Sequence, residues 1–164
     1  MGTSYYSHGG GSNYLCLPRD PSWLNYTDGF QTYARMYGVE YEVNVMPDDF
    51  FSKQNIPPGI KSLHDQDAVC AVCHTPGRPT QLMIPAKTSC PGDWLMEYKG
   101  YLMAESKNHQ RSEYICVDEV PEIDSAGMKD QNGGLLYNVE AVCGSLPCPN
   151  YVDGRELACV VCTL

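Results

Sequence analysis

Two Cys-x-x-Cys motifs, each inside a run of small and β-branched residues, restrict what this chain can fold into. The motifs occupy residues 70–73, with Ala-Val between the cysteines, and residues 159–162, with Val-Val. Valine-rich spacers favour extended backbone. In a strand, residues three apart point to opposite faces and lie about 10 Å apart, whereas the Cα atoms of one disulfide lie within about 7 Å. We therefore expect the two cysteines of each motif to bond different partners.

Paired motifs of this kind admit three interpretations: a zinc site, a thiol redox site and a disulfide framework. Zinc knuckles usually carry turn-forming residues around their cysteines, and thioredoxin-like motifs begin a helix; neither pattern is present here. A disulfide framework is therefore the favoured interpretation, with zinc and redox chemistry as the alternatives. The candidates for pairing are all nine cysteines: Cys16, Cys70, Cys73, Cys90, Cys116, Cys143, Cys148, Cys159 and Cys162.

An odd number of cysteines cannot all pair within one chain, so one is expected to be free or to cross-link a neighbouring subunit. Cys143 and Cys148, separated by Gly-Ser-Leu-Pro, are expected to form a local bridge. Asn25 begins an Asn-Tyr-Thr sequon for N-glycosylation. The cysteine content and the sequon together indicate a secreted, extracellular protein.

Acidic residues outnumber basic ones by 20 to 11, which gives a net charge of −9. Because no basic patch exists, we expect no nucleic-acid partner. No apolar run approaches the length of a membrane-spanning helix, so no membrane span is expected. The length suits one domain. Residues 1–12, polar and Gly-rich, are predicted to be a flexible N-terminal segment, and residues 13–164 a single disulfide-rich β domain.

Short alternating or apolar runs separated by Gly and Pro predict seven to nine strands and no long helix. Residues 39–45 alternate apolar with polar residues, which predicts a half-buried strand with Glu40 facing solvent. The apolar run 68–73 predicts a central strand, and residues 94–104 predict a long strand with a bulge or bend at Gly100. Further segments are predicted as strands over 13–18, 81–85, 114–117, 135–143 and 157–163, and as an acidic, Gly-rich loop over 118–134. The pattern indicates an all-β fold, a disulfide-bonded sandwich or irregular barrel of short strands with long loops.

Several sequence strings occur together in this chain, at residues 11–18, 71–73, 90–94, 98–103 and 143–151. In combination they resemble the cysteine-rich C-terminal domain of spongin-type short-chain collagens and related secreted invertebrate proteins. The strings Cys-Pro-Gly-Asp-Trp and Gly-Tyr-Leu-Met are also similar to parts of the non-collagenous domain of type IV collagen. That likeness implies a β-rich, disulfide-bonded assembly module of the extracellular matrix. The chain itself has no Gly-X-Y repeat and is therefore not a triple helix.

Two groups of residues carry side chains suited to metal or acid–base chemistry. His64, Asp65, Asp67 and the nearby His74 offer a metal site or an acid–base group, with a solvated loop as the alternative. An acidic stretch offers oxygen ligands to calcium, although its spacing does not match an EF-hand and a plain acidic loop is favoured. Its members are Asp118, Glu119, Glu122, Asp124, Asp130 and Asn132. Apart from calcium we expect no cofactor, and since no nucleophile elbow or Cys–His pair is present, we expect no enzyme.

Tyrosine dominates the aromatic residues, with 12 Tyr against 3 Phe and 2 Trp. Tyr26, Tyr33, Tyr37 and Tyr41 cluster early and are candidates for a platform that stacks on sugar rings; ordinary strand residues are the alternative. The favoured function is a secreted structural module of an extracellular matrix or filament. It would self-associate through β surfaces into a homo-oligomer, with collagen-like chains or glycans as further partners. The alternative is a lectin-like carbohydrate-binding domain.

Overall fold

The computed structural model describes residues 2, 4–124 and 130–164, none of which is helical. The strands are β1 (Val39–Tyr41), β2 (Gln81–Pro85), β3 (Leu95–Ala104), β4 (Ile115–Asp118), β5 (Gly134–Asn138) and β6 (Ala158–Thr163). They form one mixed sheet in the order β1-β5-β3-β6-β2, and β4 pairs with β3 off this path. The predicted all-β, disulfide-bonded fold is confirmed, with a single sheet that branches at β3.

Strand β6 lies at the centre of the sheet, between β3 and β2, and is antiparallel to both. Its residues from Cys159 to Thr163 are all buried. A strand that is covered on both faces typically has a continuous run of apolar residues, and the β6 sequence Ala-Cys-Val-Val-Cys-Thr is close to such a run. The strand predicted over 157–163 is therefore confirmed, although its central place in the sheet was not predicted.

Four disulfides join the strands and loops: Cys16–Cys70, Cys90–Cys162, Cys116–Cys159 and Cys143–Cys148. The two cysteines of β6 bond different partners, as expected for positions three apart in a strand. In the other motif Cys70 bonds Cys16, but Cys73 is a free, exposed thiol, so the expectation that both cysteines of this motif are bonded is wrong, and Cys73 is the one unpaired cysteine that the odd count requires.

The hydrophobic core lies beside β1 and the C-terminal half of β3. Eight buried residues form it: Val39, Tyr41, Val43, Phe51, Leu63, Met103, Val117 and Leu136. Phe50 and Phe51 both contact the ring of Tyr101, with centroid distances of 4.6 and 5.1 Å. Because Val39, Tyr41 and Val43 share one face of β1 and its continuation, the alternating pattern identified these three core positions.

The polar face of β1 differs from its prediction. Glu40 is only 1% exposed, whereas Val45, predicted to face inward, is 80% exposed. Strand β1 pairs in parallel with β5 on one side, and the segment 66–68 hydrogen-bonds to its other side through Gln66 and Ala68. The polar face of β1 is covered as well, since the Gln131 amide donates to Glu40 Oε1 (3.1 Å), and a sequence alternation alone does not show this.

Residues 68–73 were predicted as a central strand, and this is wrong. Ala68 donates a backbone hydrogen bond to Val39 (2.8 Å), at the first residue of β1. The chain runs antiparallel to β1, so the residues after Ala68 pass beyond the end of this three-residue strand and pair with nothing in the sheet. Val72 is consequently 89% exposed. The predicted strand over 13–18 is also absent, and residues 15–18 are exposed.

The N-terminal segment 1–12, predicted to be flexible, packs against the domain in its first half. Gly2 exchanges two backbone hydrogen bonds with Tyr37 (3.0 and 2.8 Å), and Ser4 is 1% exposed. Residues 8–12 are exposed. Residues 1 and 3 lie outside the described part, as do residues 125–129 of the predicted acidic loop.

At Gly100 the backbones of β3 and β4 leave no room for a side chain. An ideal Cβ on Gly100 would lie 1.8 Å from the carbonyl oxygen of Val117 and 2.7 Å from the carbonyl carbon of Asp118. The pairing irregularity predicted at Gly100 lies instead between Met96 and Tyr98. Gly100 therefore provides room for β4 rather than forming a bulge.

We expect Gly100→Ala to lower the free energy of unfolding by about 1–3 kcal/mol or more, because the new methyl group meets backbone that cannot rotate away. Chemical denaturation with the disulfides intact measures the change. Gly9→Ala is the matched control, since nothing lies within 4 Å of its ideal Cβ. Equal denaturation midpoints for the two variants would contradict this account of Gly100.

Candidate functional site

The largest exposed apolar feature among the described residues is a loop over residues 15–36, here called the aromatic loop. It contains no strand, and every residue in it is exposed. The Cys16–Cys70 disulfide holds its first turn to the domain. The backbone pairing of Gly2 with Tyr37 holds its other end. The loop is thus a solvent-exposed excursion that is fixed at both ends.

Eight large apolar side chains of the aromatic loop face solvent. They are Leu15, Leu17, Trp23, Leu24, Tyr26, Phe30, Tyr33 and Met36. Two are especially exposed, Leu24 at 93% and Tyr33 at 100%. Internal contacts are few: the Trp23 and Tyr26 rings lie 6.5 Å apart, and the Arg35 guanidinium lies over the Phe30 ring at 4.2 Å. A concentration of apolar surface this large is typical of an interaction site.

The free thiol of Cys73 lies close in sequence to the anchor of this loop. Val69 and Val72, which lie within two residues of Cys70 in the sequence, are exposed as well. An exposed thiol and exposed apolar side chains therefore occur together.

The four tyrosines predicted as a sugar platform do not lie on one surface. Tyr26 and Tyr33 are exposed in the aromatic loop and Tyr37 is half-buried at its end. Tyr41 is a core residue, 3% exposed, whose hydroxyl donates to the Glu122 carbonyl oxygen (3.1 Å), so its assignment to the platform is wrong. Burial is the main cause of the raised pKa of the Tyr41 hydroxyl, and the negative charges of Glu122 and Asp118 raise this pKa further.

Two of these tyrosines do line an open cleft of about 560 Å³. Tyr33 and Tyr37 share it with Tyr6, Arg35 and His8. No carboxylate lines this cleft, although the chain is strongly acidic. The cleft therefore combines aromatic faces with positive or neutral polar groups.

Asn25, the sequon residue, lies in the middle of the aromatic loop and is exposed. Its neighbours Leu24 and Tyr26 are exposed as well. An exposed loop is the usual setting of an N-glycosylation acceptor. A glycan on Asn25 would stand on the apolar surface of the loop.

His64 lies between two carboxylates near the end of β1. Its Nδ1 is 3.3 Å from Glu42 Oε2, and its Nε2 is 3.2 Å from Asp65 Oδ1. These three residues are the one group in the described chain whose His, Cys, Asp or Glu ligand atoms lie within 4.8 Å of one another. Asp67 and His74, predicted with them, are not members of this group. Sequence reasoning missed Glu42, because its place beside His64 depends on how the segment after Leu63 returns to β1.

Burial raises the pKa of several acidic side chains around β1. The pKa of Glu40 is raised mainly by burial and then by the charges of Asp67 and Asp130, while backbone hydrogen bonds from Gln131 and Gly133 oppose the increase. The pKa of Glu42 is also raised mainly by burial, although the charge of His64 lowers it. A carboxyl with a raised pKa destabilises the folded state once pH rises through that pKa. Ionisation of these carboxyls therefore costs more free energy in the folded protein than in the unfolded chain.

The residues predicted as calcium ligands are dispersed into separate local contacts. Asp118 accepts a hydrogen bond from the Val120 amide (2.8 Å), and Glu119 pairs with Lys99 (3.5 Å). The remaining members also have separate partners: Glu122 with Asn55, Asp124 with Arg19, and Asp130 with Asn132. No three described carboxylates among them converge.

Strand β2 ends the sheet on one side and exposes part of its backbone. Thr80 exchanges two backbone hydrogen bonds with Leu164 (3.2 and 3.1 Å), which sets the phase of the antiparallel ladder. The N–H and C=O groups of Gln81 and Met83 therefore point away from β6. Pro85 occupies the next outward position and has no N–H to donate. The open edge is short and closed by proline, a common protection against uncontrolled pairing.

Comparison with protein-family models, with curated proteins and with solved structures found no match to this chain. No helix in the described residues is long and apolar enough to cross a membrane. The function must therefore be argued from the surface of the molecule.

Proposed function

We propose that this chain is a secreted, non-enzymatic structural module of an extracellular matrix or filament that self-associates through the aromatic loop. The observation that carries the proposal is the set of eight exposed large apolar side chains in a loop fixed at both ends. The four disulfides are compatible with an extracellular location. The resemblance to the C-terminal domains of short-chain collagens supports the same role, with collagen-like chains as further partners.

Burial of the loop against a second copy would remove apolar surface from water, at about 25 cal/mol per Å². A typical stable interface buries about 800 Å² on each partner. Two anchors limit the freedom of the loop in the isolated chain, so less conformational entropy is lost on binding. The open edge of β2 offers a second, smaller contact through the outward backbone groups of Gln81 and Met83.

We expect the purified protein to associate with rising concentration and the double variant Trp23→Ser/Leu24→Ser to remain monomeric. Both side chains are exposed, 73% and 93%, so their replacement should leave the fold intact. Sedimentation velocity over a hundredfold range of concentration measures the association.

The matched control for this experiment is Val45→Ser/Val142→Ser. These two valines are 80% and 70% exposed but lie outside the aromatic loop. The control should associate as the unmodified protein does. A monomer at every concentration for the unmodified protein, or equal loss of association in both double variants, would exclude assembly through this loop.

Cys73 adds a covalent step to the proposed assembly. Two Cys73 thiols on neighbouring copies would form one disulfide and lose two protons and two electrons to an oxidant such as dioxygen. We expect a dimer band on non-reducing electrophoresis after air oxidation, which disappears on reduction. Cys73→Ser should abolish the band while association in sedimentation experiments persists. A dimer band that persists in Cys73→Ser would rule out this cross-link.

A lectin-like role is the second candidate, and the open cleft favours it. Tyr6, Tyr33 and Tyr37 supply aromatic faces that stack on sugar rings, and Arg35 supplies hydrogen-bond donors. The absence of carboxylates from the cleft favours an acidic saccharide over a neutral one.

We expect a lectin of this kind to bind sulfated or uronic-acid oligosaccharides saturably on a glycan array. Arg35→Gln should weaken binding at least about tenfold, because one charge-assisted hydrogen bond is worth about 1.5–3 kcal/mol. Arg111→Gln, an exposed arginine outside the cleft, is the control. An array without hits would remove this second candidate.

A further inference from the structure

The N-glycosylation sequon of this chain lies near the middle of the aromatic loop. Asn25 begins the only Asn-x-Ser/Thr sequence in the chain, almost midway between Leu15 and Met36. Asn25 and Thr27 are both exposed, and the chain bends at residues 24–25 without forming a helix or strand. No hydrogen bond engages the Asn25 side chain within the described part of the chain. The acceptor amide is therefore accessible, as its modification requires.

The surface beside the acceptor is apolar and uncharged. Trp23, Leu24 and Tyr26 are exposed, and residues 21–27 contain no charged side chain. The Trp23 and Tyr26 rings bracket Asn25 in the sequence, and their centroids lie 6.5 Å apart. A pyranose ring has an apolar face of C–H groups that stacks on an aromatic ring, because the face of that ring carries partial negative charge. The surroundings of Asn25 therefore suit a neutral sugar that is attached to Asn25 itself.

We propose that Asn25 carries an N-linked oligosaccharide whose first N-acetylglucosamine stacks on the Trp23 ring, and that this glycan blocks self-association through the aromatic loop. Trp23 offers the larger ring face of the two neighbouring aromatic residues. The glycan and its stacking follow from the surroundings of Asn25 alone, whereas the block rests on the proposed function.

The modification transfers a preassembled oligosaccharide from a lipid diphosphate to the protein. The Asn25 Nδ2 atom forms a bond to C1 of the first N-acetylglucosamine and gives up one proton. The bond between C1 and the diphosphate oxygen breaks, and the lipid diphosphate leaves with the electron pair. The step needs no oxidant or reductant, and it takes place in the secretory compartment in which disulfides also form.

The glycan and a second copy of the chain compete for the same side chains. Trp23 and Leu24 lie next to the acceptor in the sequence, and the proposed assembly requires their burial against a second copy. An N-linked oligosaccharide is bulky and hydrophilic, so one that is attached at the centre of the loop holds two loops apart. Chains that carry the glycan therefore stay monomeric, and chains that lack it assemble.

Protein secreted by cultured eukaryotic cells tests the proposal, and unglycosylated protein from a bacterial host is the reference in which association is expected. Thr27→Ala removes the sequon and leaves the apolar side chains of the loop in place. Thr27→Ser is the matched control, because serine preserves the sequon. Peptide mass spectrometry should find the oligosaccharide on Asn25 in the unmodified and Thr27→Ser proteins and none in Thr27→Ala. An unoccupied Asn25 in the unmodified secreted protein overturns the proposal.

Acrylamide quenching of tryptophan fluorescence tests the stacking independently of association. The chain has two tryptophans, and a variant of the exposed one, Trp23→Phe, gives the contribution of Trp94 alone. Since a stacked sugar covers one of the two faces of the Trp23 ring, the quenching constant of Trp23 should be about twofold lower in the glycosylated protein than in Thr27→Ala. An endoglycosidase that leaves a single N-acetylglucosamine should preserve this protection. Equal quenching constants in the glycosylated and Thr27→Ala proteins overturn the stacking.

Sedimentation velocity tests the block of self-association. The dissociation constant should be at least about tenfold higher for the glycosylated protein than for Thr27→Ala, which should associate as the bacterial protein does. Equal association of the glycosylated and Thr27→Ala proteins overturns the block. If the bacterial and Thr27→Ala proteins are monomeric at every concentration, the proposed function fails and the block fails with it. The quenching experiment still decides in that case whether the glycan stacks on Trp23.

Discussion

The cross-linking of β6 is the constraint on which the rest of the structure depends. Cys159 and Cys162 point to opposite faces of a strand that is buried from Cys159 to Thr163, and their disulfides attach β4 through Cys116 and the loop before β3 through Cys90. These bonds close loops of 43 and 72 residues, which restricts the unfolded chain far more than the five-residue Cys143–Cys148 loop. A sheet of six short strands can consequently support long connections and still keep one arrangement.

The sequence was informative where a residue's environment follows from its own strand. The Val-Val spacer predicted an extended strand. The separation of three positions between Cys159 and Cys162 predicted that they bond separate partners. The predictions for Glu40 and residues 68–73 were wrong because both depend on distant parts of the chain: Gln131 covers Glu40, and β1 is too short for the residues after Ala68 to pair with it. Such coverage is a long-range property, and local alternation contains no information about it.

The surface was harder to predict than the strands for a related reason. His64 and Asp65 are recognisable as ligand types, but Glu42 lies more than twenty positions earlier and joins them only through the turn at β1. The Pro, Asp and Gly residues of the aromatic loop indicate an irregular segment. The local sequence does not indicate that the Trp, Tyr and Leu side chains of this loop remain outside the core. Tyr41 and Tyr26 have the same side chain, but Tyr41 is buried in the core and Tyr26 is exposed, which the local sequence does not indicate.

The two ends of the aromatic loop are held by chemically unlike anchors. One is a covalent bond between sulfur atoms, and the other is a pair of amide hydrogen bonds between Gly2 and Tyr37. Reduction opens the first anchor, but the Tyr14 hydroxyl, which donates to the Ser112 hydroxyl (2.8 Å), still holds the chain just before the loop, so the apolar stretch becomes a looser loop with both ends attached. The conformational freedom of this apolar surface is thus linked to the redox state of one disulfide, so that oxidised and reduced chains present it differently to their neighbours.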